Sequence, residues 1–262
     1  GLAEILLKEG FTVSGSDTKE SPLTKKLVSE GAHIIYGQKA ENITRDIGCV
    51  VYTAAINRNN PELIEAVALK IPMLTRAELL GQLMKNYDTP IAVSGTHGKT
   101  TTTSMISHIL LEGDLDPTIS VGGILKAIGG NIRVGNSGTF ITEACEYTNS
   151  FLHFFPKISV ILNIEEDHLD FFKDLEDIRH SFHQFAELLP EDGTLIINAE
   201  IKDYAEIYEG LSCNVVTYGT NGCFDYSAKN ITYDENGHVA FDLFRRGEYA
   251  DHIQLSGTVD HN

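Results

Sequence analysis

No stretch of this sequence approaches the roughly 20 consecutive apolar residues that a membrane-crossing helix needs. With 42% hydrophobic and 22% charged residues, its composition is that of a globular protein rather than a disordered one. Positive charge is scarce: 20 lysines and arginines face 37 aspartates and glutamates, a formal −17. The long-range field therefore repels polyanions such as nucleic acid and anionic lipid. A small phosphate ligand stays open, because backbone N–H groups and one or two local cations bind it whatever the net sign. Cysteine is also sparse. Cys49, Cys145, Cys213 and Cys223 form no C-x-x-C pair and no zinc spacing with histidine, which predicts reduced, mostly buried thiols and a cytoplasmic setting. A signal peptide, a repeat of solenoid period, a low-complexity tract and a guanine-specifying Asn-Lys-x-Asp signature are absent as well. The opening Gly1-Leu2-Ala3-Glu4-Ile5-Leu6-Leu7 reads as mid-helix, with neither an initiator Met nor a cap, the expectation for a fragment.

What is present is alternation. Helical patterns to Lys8, over Pro22–Glu30, Pro61–Leu69 and Thr75–Met84 alternate with apolar runs at Phe11–Ser14, His33–Tyr36 and Val50–Thr53. That order predicts a doubly wound parallel sheet whose first strand would precede Gly1. The polar, proline-ended Asn86-Tyr87-Asp88-Thr89-Pro90 marks a domain boundary. Beyond it, strands at Ile91–Val93, Thr139–Thr142, Ser159–Leu162 and Thr194–Ile197, with helices at Lys99–Leu111 and Leu175–Leu188, predict a second, mostly parallel α/β unit. After Cys213 the segments Val215–Tyr218, Phe224–Tyr233, Val239–Phe244 and Tyr249–Leu255 alternate and are broken at Asn221-Gly222 and Asn236-Gly237. These read as antiparallel hairpins appended to that sheet.

The most informative stretch is Ile91-Ala92-Val93-Ser94-Gly95-Thr96-His97-Gly98-Lys99-Thr100-Thr101, a strand, a glycine turn and a helix start. Gly95 and Gly98 let consecutive N–H groups turn inward, Lys99 supplies a point charge for β- and γ-phosphate oxygens, and the Thr100 hydroxyl suits Mg²⁺. The helix N-terminus adds about half a positive charge. Val93 stands where the longer G-x-x-x-x-G-K-[ST] form has its first glycine, so this is the shorter G-x-x-G-K-T-T form. Glu143 and His168 each follow a predicted strand, at the carboxyl end where open α/β sheets place ligands; locally they read equally as a solvated loop carboxylate and a structural histidine.

Gly95–Thr101 resembles the ATP loop of the Mur ligases. The resemblance extends in order through Gly15-Ser16-Asp17, Thr53-Ala54-Ala55-Ile56 with Asn60-Pro61-Glu62, Pro72–Leu80, Gly122-Gly123 with Gly130-Asn131, Glu143-Ala144-Cys145-Glu146 before Ser150-Phe151-Leu152, and Asn163–Asp170. It implies a Rossmann-like UDP-substrate domain over 1–88, lacking its first strand, and a central P-loop-type ATP-binding α/β domain over 89–262 with the hairpin extension. It also implies a third, carboxy-terminal domain outside this sequence.

The activity implied is ATP-dependent ligation of L-alanine to the lactyl carboxylate of UDP-N-acetylmuramate, in peptidoglycan precursor synthesis. A carboxylate acylates poorly, so it would first attack the γ-phosphate, and the amine would then displace phosphate from the acyl phosphate. In that scheme Gly95, Thr96, His97, Gly98, Lys99, Thr100 and Thr101 hold ATP; Thr100, Glu143 and His168 bind Mg²⁺, with Mn²⁺ a possible substitute. Lys99, His97, Glu143 and His168 carry the chemistry, with Asp167 and Asp170 as carboxylates supporting His168. Asp17, Thr53, Ala54, Ala55 and Asn131 contact the UDP-muramyl substrate. Local readings stay open beside these: Asp17 as a helix cap before Pro22, Asn131 as a turn former, His97 as a loop brace. A ligase that attaches a preformed peptide to the same nucleotide sugar, and a non-catalytic nucleotide-binding module, are the alternatives. The fragment by itself is expected to turn over little.

Overall fold

Of the four helices in the first part of the chain, all but the first start where a short polar side chain takes up unpaired N–H groups. In the computed structural model, which describes residues 1–53, 56–220 and 222–258, these are α1 (Leu2–Lys8), α2 (Pro22–Ser29), α3 (Pro61–Ala68) and α4 (Arg76–Met84). Ser21 caps α2 and Asn60 caps α3, each followed by the proline that suits a first helical position. At α4 the capping is reciprocal: Thr75 Oγ1 accepts from Glu78 N at 3.2 Å, and Glu78 accepts from Thr75 N at 2.6 Å. That backbone bond holds the Glu78 carboxyl below the usual range. The strands between are β1 (Ser14–Asp17), β2 (His33–Tyr36), β3 (Val50–Tyr52) and β4 (Met73–Thr75). Then come β5 (Thr89–Ser94), α5 (Lys99–Glu112), β6 (Thr118–Leu125), β7 (Gly130–Arg133) and β8 (Thr139–Glu143). Last are β9 (Ile158–Ile161), α6 (Leu175–Glu187), β10 (Thr194–Asn198), β11 (Asn214–Gly219), β12 (Tyr226–Tyr233), β13 (His238–Arg245) and β14 (Glu248–Thr258).

The chain forms two compact units. The first comprises Gly1–Pro90, Thr100–Glu143 and His153–Phe155, and the second Ile91–Lys99, Ala144–Leu152 and Pro156–Asn262. In the first unit β1 pairs with β2 and β3 with β4, both parallel, as two separate two-stranded sheets. Strand β6 pairs parallel with β8 and antiparallel with β7. Ile5, Ala66, Met84, Ile119, Phe140 and Ile141 of this unit are fully buried. Gly81 in α4 is obligatory: an added Cβ would lie 1.9 Å from the His153 carbonyl oxygen.

In the second unit the strand order is β14-β13-β12-β11-β10-β9-β5. Strands β5, β9, β10 and β11 are parallel neighbours, so their carboxyl ends share one edge. Phe151, Phe182 and Phe185 interlock beneath, with the Phe151 and Phe185 rings stacked at 4.6 Å and the Phe182 ring edge-on at 5.4 Å. Burying each removes from water side-chain area that contributes about 2–3 kcal/mol.

The α/β class and the parallel-dominated sheets agree with the sequence reading, and several details differ. The first strand lies at Ser14–Asp17 rather than Phe11–Ser14, because Phe11 N–H closes α1 onto Leu6 O and leaves the Phe11 ring exposed. Strands β4, β6 and β7 escape the apolar pattern; the run of β6 is interrupted by Gly122-Gly123. The extension is not hairpins throughout: β11 and β12 pair parallel, so Asn221-Gly222, of which Asn221 lies outside the described residues, joins no hairpin. The Asn236-Gly237 turn does join antiparallel β12 and β13. The cysteines are not mostly buried: Cys49, Cys145 and Cys223 are exposed and Cys213 half-buried, and none of the four is in a disulfide.

Candidate functional site

Strand β5 ends at Ser94, and the chain then makes the glycine turn into α5. Gly95 has φ 148°, and a Cβ there would meet Leu162 Cβ at 2.9 Å, so only glycine lets the turn press onto the segment after β9. That segment grips the turn from below. His97 N–H donates to Asn163 Oδ1 at 2.8 Å while Asn163 Nδ2 donates to His97 O at 3.1 Å. Thr96 N–H donates to Asn163 O at 3.2 Å, and the buried Thr96 hydroxyl accepts from Glu165 N–H at 2.9 Å. The loop is thus held through Thr96 and His97 by backbone, amide and hydroxyl groups. The His97 side chain is exposed, its Nε2 3.9 Å from Glu165. Its main chain performs the bracing.

Lys99 Nζ donates to the carbonyls of Gly95 and Thr96 and to both oxygens of Glu146, at 2.9 and 3.2 Å. Glu146, which the sequence reading quotes but assigns no role, is 2% exposed. His168 stands beside it, with Nε2 3.7 Å from Glu146 Oε1 and 3.8 Å from Asp167 Oδ2. Of the two aspartates expected near His168, Asp167 faces it and Asp170 accepts instead from the Tyr147 hydroxyl at 2.8 Å. The Tyr147 ring stacks on the His168 imidazole at 4.4 Å, and the Asp170 bond and charge push the Tyr147 phenol up from its ordinary value. Backbone strain concentrates here: Thr148, Asn149 and His168 adopt φ of 54°, 57° and 52°, a left-handed conformation uncommon outside glycine. Ligand atoms of Glu146, Asp167 and His168 lie within 4.8 Å of one another, a spacing that suits one divalent ion.

In the first unit the Thr100 hydroxyl donates to Glu143 Oε2 at 3.0 Å, and Gly122 N–H donates to Glu143 Oε1 at 2.5 Å. Glu143 is thus aimed at the first turn of α5 by a strand the apolar pattern misses. A hydroxyl and a carboxylate side by side form a hard oxygen pair that fits Mg²⁺. Thr101, next along α5, is exposed.

A cavity of about 540 Å³ also lies in this unit, lined by Ser14, Gly15 and Ser16 of β1, Ile35 of β2 and Val50–Tyr52 of β3. Thr53, predicted to contact substrate, lines it too. Its rim is polar and self-satisfied: Glu62 accepts from Ser16 Oγ at 2.6 Å and Asn42 Nδ2 at 2.7 Å, and Asn60 Nδ2 donates to Gln38 at 2.8 Å. Asp17 is not among the lining residues; its carboxylate accepts from Thr18 N–H at 2.6 Å, closing its own turn. Asn131 is an exposed residue of β7 rather than a turn former. Ala54 and Ala55 lie outside the described residues.

The sequence profile of the Mur ligase middle domain matches residues 93–262, and that of the Mur ligase family catalytic domain matches residues 1–88. The chain belongs to the Mur ligase family. It is 60% identical over 262 residues to a UDP-N-acetylmuramate–L-alanine ligase of Agathobacter rectalis and 56% identical to one of Lachnospira eligens. Each match covers the whole chain, which spans 57% of the length of these curated Mur ligases. Among solved Mur ligases, the Neisseria UDP-N-acetylmuramate:L-alanyl-γ-D-glutamyl-meso-diaminopimelate ligase superposes with TM-score 0.85 at 27% identity, over 98% of this chain and 84% of that one. The UDP-N-acetylmuramate–alanine ligase of Thermotoga maritima superposes with TM-score 0.79 at 26% identity, over 97% of this chain and 57% of that one.

Proposed function

We propose that the chain is the nucleotide-handling part of a cytoplasmic, ATP-dependent ligase that joins L-alanine to the lactyl carboxylate of UDP-N-acetylmuramate in peptidoglycan precursor synthesis. The observation that carries this reading is the glycine turn at Gly95–Lys99, clamped by Asn163 and Glu165 and followed by a threonine paired with Glu143. Residues 1–88 take the uridine nucleotide in the cavity beside β1 and β3, with Thr53 at its wall; residues 89–262 take ATP. The Thr96 and His97 N–H groups are taken up by Asn163, so Lys99 and the N–H groups from Gly98 onward hold the β- and γ-phosphates. Thr100 and Glu143 would hold one Mg²⁺, or Mn²⁺ in its place, and His168 beside Glu146 and Asp167 another; a bound ion would neutralise charge on the transferring phosphoryl oxygens.

Two anions, the lactyl carboxylate and the γ-phosphate, must meet in the first step. Lys99 lowers their repulsion by holding an ammonium where negative charge accumulates. The acyl phosphate then gives the amine a carbonyl with a good leaving group, and phosphate departs with the C–O electrons as the C–N bond forms.

The test is a coupled ADP-release assay on the full-length ligase with UDP-N-acetylmuramate and either L-alanine or the L-alanyl-γ-D-glutamyl-meso-diaminopimelate tripeptide. Alanine-dependent release is expected; tripeptide-dependent release alone would favour the peptide ligase, the second reading that the Neisseria neighbour motivates. The 262 residues alone are expected to bind nucleotide with little turnover, so robust alanine-dependent turnover by them would contradict the division of labour.

A further inference from the structure

Lys99 does not hold its ammonium in reserve. Its Nζ lies 2.5 Å from Gly95 O and 3.1 Å from Thr96 O, both carbonyls of its own loop, and 2.9 and 3.2 Å from the two Glu146 oxygens. An ammonium has three N–H donors, and these partners engage all of them. A phosphate oxygen can reach Lys99 only by displacing one.

Glu146 is the partner built to be displaced and survive it. It is 2% exposed and held by a curl in which Asn149 N–H donates to Glu146 O at 2.9 Å while Thr148 and Asn149 are left-handed. A buried carboxylate persists only with a partner, and Glu146 has a second neighbour in His168, 3.7 Å from its Oε1.

We propose that Glu146 is a positioning residue that occupies Lys99 in the place of a phosphate. A nucleoside triphosphate then binds by exchange, taking over the ammonium while Glu146 stays behind against His168. The inference rests on reading Gly95–Thr101 as a phosphate loop. Its signature is a sign: only conformers with Lys99 released accept the triphosphate, and apparent affinity is reduced by their fraction. Neutralising Glu146 therefore strengthens nucleotide binding, where loss of a merely structural buried group would weaken it.

Calorimetric titration of ATP in EDTA, which removes divalent ions from the competition, tests this on the chain and on Glu146→Gln, Lys99→Met and the double variant. Glu146→Gln is expected to bind ATP on the order of tenfold tighter than the parent, and the gain is expected to vanish in the double variant. Equal or weaker binding by a folded Glu146→Gln protein overturns the exchange. Should Glu146→Gln lose its cooperative melt, Glu146→Asp, which withdraws the carboxylate by one methylene, takes its place. A smaller gain there supports the exchange, and no gain overturns it. A parent that binds no ATP, in EDTA or with Mg²⁺, overturns the phosphate-loop reading itself; a parent that binds while neither variant gains overturns the exchange alone.

Discussion

The glycine loop and the cavity beside β1 and β3 reach their ligand-ready shapes by opposite routes. The loop is fixed mainly by backbone: Thr96, His97 and Gly95 are held by one four-residue segment, Leu162–Glu165, through main-chain groups, one amide and one hydroxyl. The cavity is fixed by side chains from separate elements, with Glu62 of α3 bridging Ser16 of β1 and Asn42 of a neighbouring turn. A backbone-built site tolerates change in most side chains and none in its glycines. A site built from side chains is vulnerable at each hub.

Substitutions can break this contrast at either end. The largest effect belongs to Lys99→Met, which removes the one cation of the loop. Turnover of the full-length ligase should fall on the order of 10²–10³-fold in the ADP-release assay, with uridine-nucleotide binding unchanged. Gly95→Ala should cost about 2–3 kcal/mol in a denaturant melt, since a left-side φ of 148° and a Cβ 2.9 Å from Leu162 both oppose it. A cost below about 0.5 kcal/mol would show that the loop is not built from its backbone. Glu62→Ala strands the Ser16 and Asn42 donors and should cost about 1–2 kcal/mol, weakening uridine-nucleotide binding while leaving ATP binding alone; equal loss of both ligands would collapse the distinction.

The smallest effect is a baseline taken outside both regions. Burial, with the Glu200 carboxylate adding to it, pushes the Tyr218 phenol up to about 12. The folded state therefore favours the protonated phenol more than the unfolded chain does. The associated stability is fully present below about pH 10, the usual tyrosine range, and is lost as pH rises toward 12. Tyr218→Phe should flatten that alkaline decline in melts recorded from pH 9 to 12; an unchanged slope would mean that the phenol ionises without opposition.

How much could be read beforehand follows the same contrast. Gly95, Gly98, Lys99 and Thr100 are legible because the glycine loop is contiguous in sequence, and the strand–turn–helix around it announces itself by pattern. Glu143 and His168 were found through strand ends and family likeness, and Thr100 with Glu143 does come together. The Lys99–Glu146 pair is not legible, since nothing local says that a glutamate three residues past a strand will be buried against a lysine 47 positions earlier. The four-residue motif Glu143-Ala144-Cys145-Glu146 held the only signal, two acids flanking small residues. Glu62, Asn42 and Gln38 were invisible for a related reason: their roles arise when separate elements converge. Strand β6 is hidden by two glycines in close quarters: a Cβ at Gly122 would lie 3.0 Å from the Glu143 carboxylate and one at Gly123 3.2 Å from Thr100 Cγ2. Close approach there overrides the apolar alternation that pattern reading depends on.

Strand β14 closes the order of its sheet with eleven residues, and a ribbon of that length is a template on which a second molecule can lay its own ribbon. Two interruptions in its register against β13, and ionic groups such as Glu248 and Asp251 along it, make a flat copy-on-copy match costly. Among the described residues, the margin of this sheet is thus armed against self-association.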